Sequence, residues 1–373
     1  MHIKSKIIAV LSTVVVTAAS VISFSGSAAI AIRDANGDSI IDMSDAVYTM
    51  NYLNGNVNPT NVKSLDFDGN GIISSMDTLK IQLYKLQLIS ENLLPPSINE
   101  SVSASNTTRN YWKHDYSNSN LYSKTSYSLT VKSDDNTVTA ASDIEPYTII
   151  PPDNMVRDYD TSVVRLNMPG IGHGTGFIVG DHVIATAAHC VYGNGKFYNM
   201  TIDIVDENNN TAATFAPSYV HIPSLYATNS FNYDYALIYV DEDLSEYGMF
   251  KMGVALDEYV NNNGSVIASG FPGEYPDNYT GEYGIRFKAQ GNLALSTQYK
   301  LYYDADTFGG NSGGPVYVEE GFTDKNGKLY ETKTVVAIHT NGFNITEYPN
   351  GKNSGTRITP DILKFFYNNS YMA

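Results

Sequence analysis

The sequence predicts an all-β domain that ends in one helix and follows a small α-helical module. Within residues 149–373, short alternating apolar runs such as 201–205 are separated by Gly, Asn and Pro, a pattern typical of antiparallel sheets. Thr359 can cap a final helix that begins at Pro360. The helical module is predicted for residues 32–92, where an acidic loop occurs twice and a helix-compatible run follows each copy.

The bulk properties of the chain limit its classes of partner. A length of 373 residues suggests two or three domains. The net charge of −16 argues against nucleic acid and anionic membranes as partners, and it favours solubility. Cys190 is the only cysteine in the sequence, so an intrachain disulfide cannot form.

Residues 1–31 are predicted to be a secretory signal peptide. Lys4 and Lys6 provide the positive start, residues 7–24 are mostly apolar, and residues 29–31 offer a small-x-small cleavage site. The alternative is an uncleaved membrane anchor, because the apolar run approaches the length that spans a bilayer. Cleavage predicts a secreted, extracellular chain without membrane contact.

A polar region, residues 93–148, separates the module from the all-β domain. It is rich in Ser, Asn, Thr and Tyr and has little periodic apolar pattern. Because such a composition buries little apolar surface, we predict a linker or a pro-segment here.

The acidic loop of the module has the spacing of a calcium loop. Both copies carry oxygen-bearing side chains at positions one, three, five, nine and twelve, and position seven supplies a backbone carbonyl. The alternative is a pair of chance acidic turns, and Ser39 occupies position six of the first copy, where glycine is usual. The predicted ligands of two Ca²⁺ ions are Asp34, Asn36, Asp38, Ile40, Asp42 and Asp45 in the first loop, and Asp66, Asp68, Asn70, Ile72, Ser74 and Asp77 in the second.

A loop followed by a helix, occurring twice, resembles the dockerin module of cellulosome-type enzymes. Position twelve is Asp rather than Glu, and no helix is predicted before the first loop, which distinguishes the segment from an EF-hand. The resemblance implies calcium binding and docking onto a cohesin module of a cellulosomal or cell-surface scaffold protein. Positions ten and eleven face the cohesin in dockerins, and these are Met43–Ser44 and Ser75–Met76 here.

Three segments of the all-β domain together suggest nucleophilic catalysis. The glycine-rich run 306–315 contains Ser312, and an oxyanion that forms beside a reacting serine needs N–H donors already in place. An imidazole must take the serine proton and a carboxylate must orient that imidazole. His189 and Asp234 lie upstream in the order His, Asp, Ser. The other carboxylates between histidine and serine are Asp203, Asp206, Asp241 and Asp243.

These segments resemble the trypsin-like serine peptidases, and among them the V8-like glutamyl endopeptidases. The resemblance implies a chymotrypsin-like double β-barrel over residues 149–373, with a triad of Ser312 as nucleophile, His189 as general base and Asp234 as the orienting group. It also implies an oxyanion hole formed by the N–H groups of Gly310 and Ser312.

The same resemblance implies cleavage of protein or peptide substrates after Glu. In the glutamyl group a threonine and a second histidine bind the Glu carboxylate, and these correspond to Thr307 and His339 here. Asp306, however, occupies the position where trypsins carry the acid that selects Lys and Arg. Specificity for Lys or Arg therefore remains an alternative, and a non-catalytic component that only docks onto cohesin is another.

Three further expectations follow from that resemblance. Many members pair the cysteine after the catalytic histidine with one on the preceding strand, and Gly174 corresponds to that partner position. Residues 319–333 form an insertion between the serine strand and the His339 strand. Members of the glutamyl group are zymogens, and the corresponding cleavage would fall beside Tyr147 or Thr148. Such cleavage would release the dockerin with the pro-segment, whereas an uncleaved chain would work while docked.

Overall fold

The computed structural model describes residues 33–89, 104–134, 155–228, 231–273, 284–341 and 353–372. The predicted signal peptide and the predicted cleavage position beside Tyr147 lie outside these ranges. No helix within them is both long enough and apolar enough to cross a membrane.

Most of the regular structure is β-strand, as predicted. The strands of the described residues are, in chain order, β1 Ile72–Ile73, β2 Ala104–Asp115, β3 Thr125–Asp134, β4 Val156–Arg157, β5 Val163–Met168, β6 Gly172–Gly180, β7 Val183–Thr186, β8 Tyr192–Gly193, β9 Lys196–Phe197, β10 Thr201–Val205, β11 Thr211–Phe215, β12 Tyr219–Pro223, β13 Ala236–Tyr239, β14 Lys251–Met252, β15 Val254–Ala255, β16 Ser265–Gly270, β17 Phe287–Ser296, β18 Lys300–Tyr303, β19 Pro315–Thr323, β20 Leu329–Asn341 and β21 Asn353–Arg357. The α-helices are α1 Met43–Leu53, α2 Ser75–Lys85, α3 Ser224–Ala227, α4 Asp257–Asn261 and α5 Pro360–Met372.

Each acidic loop of the module leads directly into a helix, α1 after the first loop and α2 after the second. Asp42 and Ser74 cap these helices by accepting hydrogen bonds from the N–H groups two residues further on. Asp45 and Asp77 complete the two capping boxes from the third helical position. Loop positions nine and twelve therefore stabilise the helix starts as well as serving as predicted metal ligands.

The first large sheet contains the residues around His189 and Asp234. In the described part of the chain it has nine strands, in the order β11-β10-β5-β6-β7-β13-β12-β2-β3. The predicted alternating run 201–205 is β10, in which Ile202 and Ile204 are fully buried. Strands β7 and β13, which lead to His189 and away from Asp234, are paired neighbours in this sheet.

About half of the polar region 93–148 is a β-hairpin. Strands β2 and β3 pair from Ala104 opposite Asp134 to Lys113 opposite Thr125. Strand β2 also pairs with β12, so the hairpin extends the first sheet. The composition alone did not indicate these strands, and the role of the region as a pro-segment stays a prediction.

The second large sheet carries the serine loop. Its main path in the described residues is β14-β20-β19-β16-β17-β18-β21, and β21 also pairs with β20, which closes the strands into a barrel. The predicted insertion 319–333 is the outer part of the β19–β20 hairpin, paired out to Thr323 opposite Leu329. The two sheets and the final helix α5 form the predicted chymotrypsin-like fold.

Helix α5 joins the hairpin to the two-sheet body. Its residues Ile362, Leu363 and Phe366 are buried, as the predicted helical face requires. Phe365 stacks on Tyr111 of β2, with the ring centroids 4.8 Å apart. Close aromatic contacts of this kind stabilise a packing arrangement beyond the apolar area that they bury.

The module packs against the second barrel rather than standing apart from it. Strand β1 pairs antiparallel with β15, so that Ile72 lies opposite Ala255 and Ile73 opposite Val254. Tyr52 of α1 is fully buried in the same apolar cluster as residues of α5. The module and the barrel thus share a sheet edge and part of one core.

Candidate functional site

His189 and Asp234 are held together by two hydrogen bonds. His189 lies on a short 3-10 turn after β7, and Asp234 directly precedes β13. The carboxylate of Asp234 accepts from the ring Nδ1 of His189 at 2.7 Å and from its backbone N–H at 3.0 Å. Because the Nδ1 proton points to Asp234, the ring presents Nε2 as an acceptor.

The other carboxylates between histidine and serine are engaged elsewhere or exposed. Asp203 accepts hydrogen bonds from Arg165 at 2.9 Å and from Asn167 at 2.7 Å. Asp206 and Asp243 accept from backbone N–H groups of their own turns, and Asp241 is exposed. Among these described carboxylates, Asp234 is the one that contacts His189.

The charges around Asp234 favour an ionised carboxylate. Burial raises the pKa of Asp234 most strongly, but His189, its two hydrogen bonds and Lys300 outweigh burial and leave that pKa below its usual value. Burial likewise lowers the pKa of His189, and Asp234 reverses the effect, so that the pKa of His189 lies well above 6.5. The pair therefore stabilises an imidazolium next to a carboxylate.

Ser312 lies in a tight loop that only glycine neighbours permit. Gly310 and Gly313 adopt φ values of +102° and +87°, in the region that disfavours other residues. A Cβ on Gly313 would lie 2.1 Å from the Thr175 carbonyl oxygen. Within the described residues, neither the N–H of Gly310 nor that of Ser312 has a hydrogen-bond acceptor. These two N–H groups are available to a bound oxyanion.

The serine loop is joined to the segment that carries the histidine. The thiol of Cys190 donates to the Ser312 carbonyl oxygen at 3.3 Å, and the backbone N–H of Thr175 donates to the same oxygen at 2.8 Å. A Cβ on Gly174 would lie 2.9 Å from the Cys190 sulfur, so Gly174 does occupy the position facing this cysteine. A buried thiol and a backbone hydrogen bond connect the two segments in place of a disulfide.

His339 lies beside the serine loop and is held in one orientation. Its backbone carbonyl accepts from the N–H of Gly313 at 2.7 Å, and its N–H donates to the Gly314 carbonyl at 2.9 Å. The hydroxyl of Tyr303 and His339 Nδ1 form a hydrogen bond at 2.5 Å, and burial raises the pKa of Tyr303, so that its hydroxyl keeps a proton that it can donate. In the tautomer in which Tyr303 donates, the ring proton of His339 is on Nε2.

The imidazole ring of His339 is uncharged at neutral pH. Burial, followed by the nearby His189 and Lys300, lowers the pKa of His339 to about 3. The hydroxyl of Thr307 is shielded from solvent and has no hydrogen-bond partner in the part of the chain that the structure describes. Asp306, the next residue back, is buried at 8% exposure. The Thr307 hydroxyl and the neutral ring of His339 can therefore each donate a hydrogen bond to a bound group.

The second acidic loop brings its carboxylates together. Oxygen atoms of Asp66, Asp68 and Asp77 all lie within 4.8 Å of one another. Oxygen ligands of one Ca²⁺ ion at 2.3–2.6 Å have about this mutual spacing, so the residues present fit that ion. Burial and the charge of Asp68 raise the pKa of Asp66 to about 7, and a bound cation would offset that repulsion.

The first acidic loop has the same internal hydrogen bonds with one strained residue. Asp34 accepts from the N–H groups of Asp38 and Ser39 at 3.0 and 2.5 Å, the counterpart of Asp66 accepting from Asn70 and Gly71 at 3.1 and 2.8 Å. Position six is left-handed in both loops, with φ +69° at Ser39 and +85° at Gly71. A serine tolerates this conformation less well than glycine, as expected from the sequence.

Two buried residues of the site were missed by sequence reasoning. Tyr303 orients His339, and the ammonium of Lys300 donates to the Thr340 hydroxyl at 2.8 Å. Both lie on β18, where no motif marks them. The pairing of β18 with β21, and of β21 with β20, brings them to His339.

A comparison with protein families assigns the chain to a class. Residues 153–352 match the trypsin family, which is more than half of the 373 residues. The chain therefore belongs to the trypsin-like serine peptidases, and this confirms the predicted class. Residues 32–84 match the dockerin type I domain, which confirms the predicted nature of the module.

Individual proteins and one solved structure are also similar to this chain. A glutamyl endopeptidase from Bacillus licheniformis is 31% identical over 201 residues, which covers 52% of this chain and 58% of the relative. A protein named extracellular metalloprotease from Bacillus subtilis is 27% identical over 207 residues, covering 53% of this chain and 58% of the relative. The chain thus spans little more than half the length of these curated relatives. A solved structure of a Glu endopeptidase in complex with MPD has a TM-score of 0.46 and 20% identity, covering 58% of this chain and 96% of that one.

Proposed function

We propose that this chain is a secreted serine endopeptidase that cleaves after Glu and is attached through its dockerin module to a scaffold protein. The observation that carries the catalytic part is the double hydrogen bond between Asp234 and His189. Asp234 is 2% exposed, whereas the side chain of His189 is 32% exposed. A buried carboxylate behind a partly open imidazole is the arrangement that general-base catalysis by histidine requires.

The proposed reaction is acyl transfer through Ser312. Nε2 of His189 takes the hydroxyl proton as Ser312 attacks the substrate carbonyl carbon, and it later gives that proton to the leaving amine. Asp234 keeps the ring oriented and stabilises the imidazolium during the attack. The N–H groups of Gly310 and Ser312 would bind the tetrahedral oxyanion, which is supported by the lack of another acceptor for them in the described residues.

The proposed specificity for Glu rests on Thr307 and His339. A neutral imidazole with its proton on Nε2 and a shielded threonine hydroxyl can both donate to a substrate carboxylate. Binding of that carboxylate would in turn favour protonation of His339, whose pKa is low in its buried position. The 31% identity to a glutamyl endopeptidase supports the same assignment.

The test is peptide-library profiling of the purified enzyme. We expect dominant cleavage after Glu, weaker cleavage after Asp, and none after Lys or Arg. Asp is one methylene shorter than Glu, which is worth about 1–3 kcal/mol in such a pocket. Dominant cleavage after Lys or Arg would instead assign Asp306 to the floor of the substrate pocket.

A second candidate function is a non-catalytic component that only docks onto cohesin. It predicts that a fluorophosphonate probe leaves Ser312 unmodified. Labelling of Ser312, and its loss when His189 is replaced, would exclude that function.

Scaffold attachment is proposed through the two calcium loops and the residues at their positions ten and eleven. These pairs differ in exposure in this chain. Met43 is 42% exposed and Ser44 is also exposed, whereas Met76 is buried at 3%. We therefore expect cohesin to bind the first pair, because in the second pair Ser75 is half-buried and Met76 is covered by the chain itself.

We also propose that cleavage beside Tyr147 or Thr148 leaves the module bound to the peptidase rather than releasing it. The hairpin β2–β3 and the module both lie upstream of Tyr147, and both pack on the peptidase body. Arg109 of the hairpin forms an ion pair with Asp361 of α5 at 2.8 Å. These contacts support a cleaved enzyme that keeps the upstream segment bound, which intact mass and size-exclusion chromatography would detect.

A further inference from the structure

The insertion 319–333 forms one of the contacts between the peptidase and the second half of the module. Its backbone N–H at Lys325 donates to the carbonyl of Leu88 at 3.0 Å, and the Lys325 ammonium donates to the carbonyl of Gln87 at 3.1 Å. Phe322 and Tyr330 of the insertion pack against the apolar cluster of the module. The insertion is therefore a platform for the module, and its strand β19 leads directly from the serine loop.

Glu320 of this platform points its carboxylate into the second calcium loop. One oxygen, Oε1, accepts from Asn70 Nδ2 at 3.1 Å and from the Ser74 hydroxyl at 3.1 Å. The other oxygen accepts from the hydroxyl of Thr334 on β20. Glu320 is buried at 8% exposure, and a buried carboxylate is tolerated only when hydrogen bonds compensate for lost hydration.

The two module residues that Glu320 contacts are both predicted calcium ligands, at positions five and nine. Asn70 Oδ1 accepts from the N–H of Ile72 at 2.7 Å, and its Nδ2 can only donate, which suits the carboxylate. Ser74 uses its single proton on Glu320 while its oxygen accepts from the N–H of Met76 at 3.0 Å. Glu320 thus determines which way each ligand's oxygen faces.

The first calcium loop has no counterpart of this contact in the described residues. Positions five and nine are Asp38 and Asp42 there, and they accept from the N–H groups of Ile40 at 2.9 Å and Ser44 at 2.7 Å, both within the module. The two loops therefore differ in their ligands as well as in the peptidase contact, because an amide and a hydroxyl at positions five and nine can donate to Glu320 whereas two carboxylates cannot.

We propose that Glu320 is an outer-sphere residue of the second calcium site, supplied by the peptidase, so that calcium binding and docking of the module stabilise each other. The proposal rests on the proposed calcium function of the loops. Without a cation, the ammonium of Lys80 offsets the charge of Asp68 through their ion pair. Glu320 adds a fourth carboxylate to Asp66, Asp68 and Asp77, and the excess negative charge weakens docking by repulsion. With a cation, the same carboxylate orients two ligands and adds attraction.

The first test is calorimetric titration of Ca²⁺ into the full chain. The parent for this test carries Asp45→Ala, which removes the first site. Replacement of an outer-sphere partner typically weakens metal binding by about 10–100-fold. We expect Glu320→Ala to weaken the remaining site by that factor, and Glu320→Gln to weaken it less because its amide oxygen can still accept. Glu319→Ala is the matched control, since Glu319 is adjacent in sequence and exposed.

The outcomes separate this inference from the function on which it rests. If the parent chain binds no Ca²⁺, the calcium function of the loops is wrong. If the parent binds Ca²⁺ and Glu320→Ala binds it equally well, the role of Glu320 is wrong and the loops remain calcium sites. Fluorophosphonate labelling of Ser312 in each variant checks that the peptidase has folded.

A second test needs no substitution. Hydrogen exchange of the parent chain should show that chelation of Ca²⁺ accelerates exchange at the amides of Lys325 and Leu256. These amides donate to the module carbonyls of Leu88 and Gly71 at 3.0 and 2.9 Å, so they report docking. Unchanged protection at both amides after chelation, while amides inside the second loop become exposed, would overturn the coupling.

Discussion

The second calcium loop and the proposed catalytic site are assembled over very different distances along the chain. The loop gathers Asp66, Asp68 and Asp77 within twelve consecutive residues, with oxygens 4.8 Å or less apart. The residues of the proposed catalytic and substrate-binding site come from positions 189, 234, 312 and 339, on segments attached to two different sheets. A local site needs a turn and a helix cap, whereas a dispersed site needs the whole strand order to be correct.

The two sites also differ in how they use burial. In the catalytic site, burial of Asp234 is compensated by His189 and Lys300, and its pKa is lowered. In the calcium loop, burial raises the pKa of Asp77 well above its usual value, and Asp68 and Asp66 act in the same direction. The catalytic pair therefore has its own counter-charges, whereas the loop has the ammonium of Lys80 beside Asp68 for three carboxylates, and a bound cation would balance the rest. A substitution in the catalytic site should therefore leave calcium binding unchanged, and loss of the cation should leave peptidase turnover unchanged.

The largest expected effect separates chemistry from metal binding. Ser312→Ala should lower kcat by about 10⁴–10⁶-fold, since loss of one triad member removes most of the chemical acceleration. Calcium binding, measured by calorimetry, should stay at the parental level. Ser245→Ala, a change at an exposed serine, is the matched control and should retain full turnover. Near-normal turnover of the Ser312 variant would contradict the triad.

The reciprocal change should act on the metal site alone. Asp77→Ala removes a buried carboxylate that also closes the capping box of α2. We expect calcium binding to weaken by more than the roughly 10–100-fold cost of losing an outer-sphere partner. Cohesin binding should be lost with it, because folding and metal binding are coupled in such loops.

Peptidase turnover by this Asp77 variant should stay near the parent value, as it should after chelation. Asp45→Ala makes the same substitution at position twelve of the first loop, so that calcium binding by the two loops can be compared. Undiminished cohesin binding in excess chelator would show that the module does not depend on the ion.

Substrate specificity should respond to His339 more than stability does. His339→Ala leaves a charged substrate carboxylate with one donor fewer, which costs about 1–3 kcal/mol, or roughly 5–150-fold in kcat/KM. The loss should be larger for a Glu peptide than for the matching Gln peptide. His182→Ala is the control, because His182 lies away from the site, hydrogen-bonded to the Glu242 carbonyl. Equal losses on both peptides would show that His339 only supports the fold.

The pH dependence should reveal the His189–Asp234 pair. Asp234 holds the pKa of His189 above 6.5, and only the neutral imidazole can take the serine proton. Activity should therefore be lost as pH falls through this raised pKa, by about tenfold per unit below it. A pH profile of kcat/KM with its acidic half-maximum below 6.5 would contradict the raised pKa of His189.

The smallest expected effect concerns the orientation of His339. Tyr303→Phe removes one hydroxyl and keeps the ring, so about 0.5–1.5 kcal/mol, or roughly 2–12-fold in kcat/KM, should be lost on Glu peptides. Gln peptides should change less, since Tyr303 acts through His339 and not on the reacting atoms. An equal effect on both peptides would show that Tyr303 is a packing residue only.

The sequence predicted most of the local structure correctly. Both acidic loops, the helices after them and the final helix from Pro360 are present, because spacing and capping residues act over only a few positions. The hairpin within residues 93–148 was not predicted. Its polar residues form a ladder only because β12 offers an edge to pair with.

The chain order of His189, Asp234 and Ser312, with the loop spacing of the two calcium motifs, is information that the sequence contains by itself. The sequence pattern already indicated Asp234, but its two hydrogen bonds to His189, the orientation of His339 by Tyr303 and the contact of Glu320 with Asn70 were decided only in the tertiary structure. The physical reason is distance. A cap or a turn forms between residues a few positions apart, whereas these contacts join strands that meet only when both sheets and the module have packed.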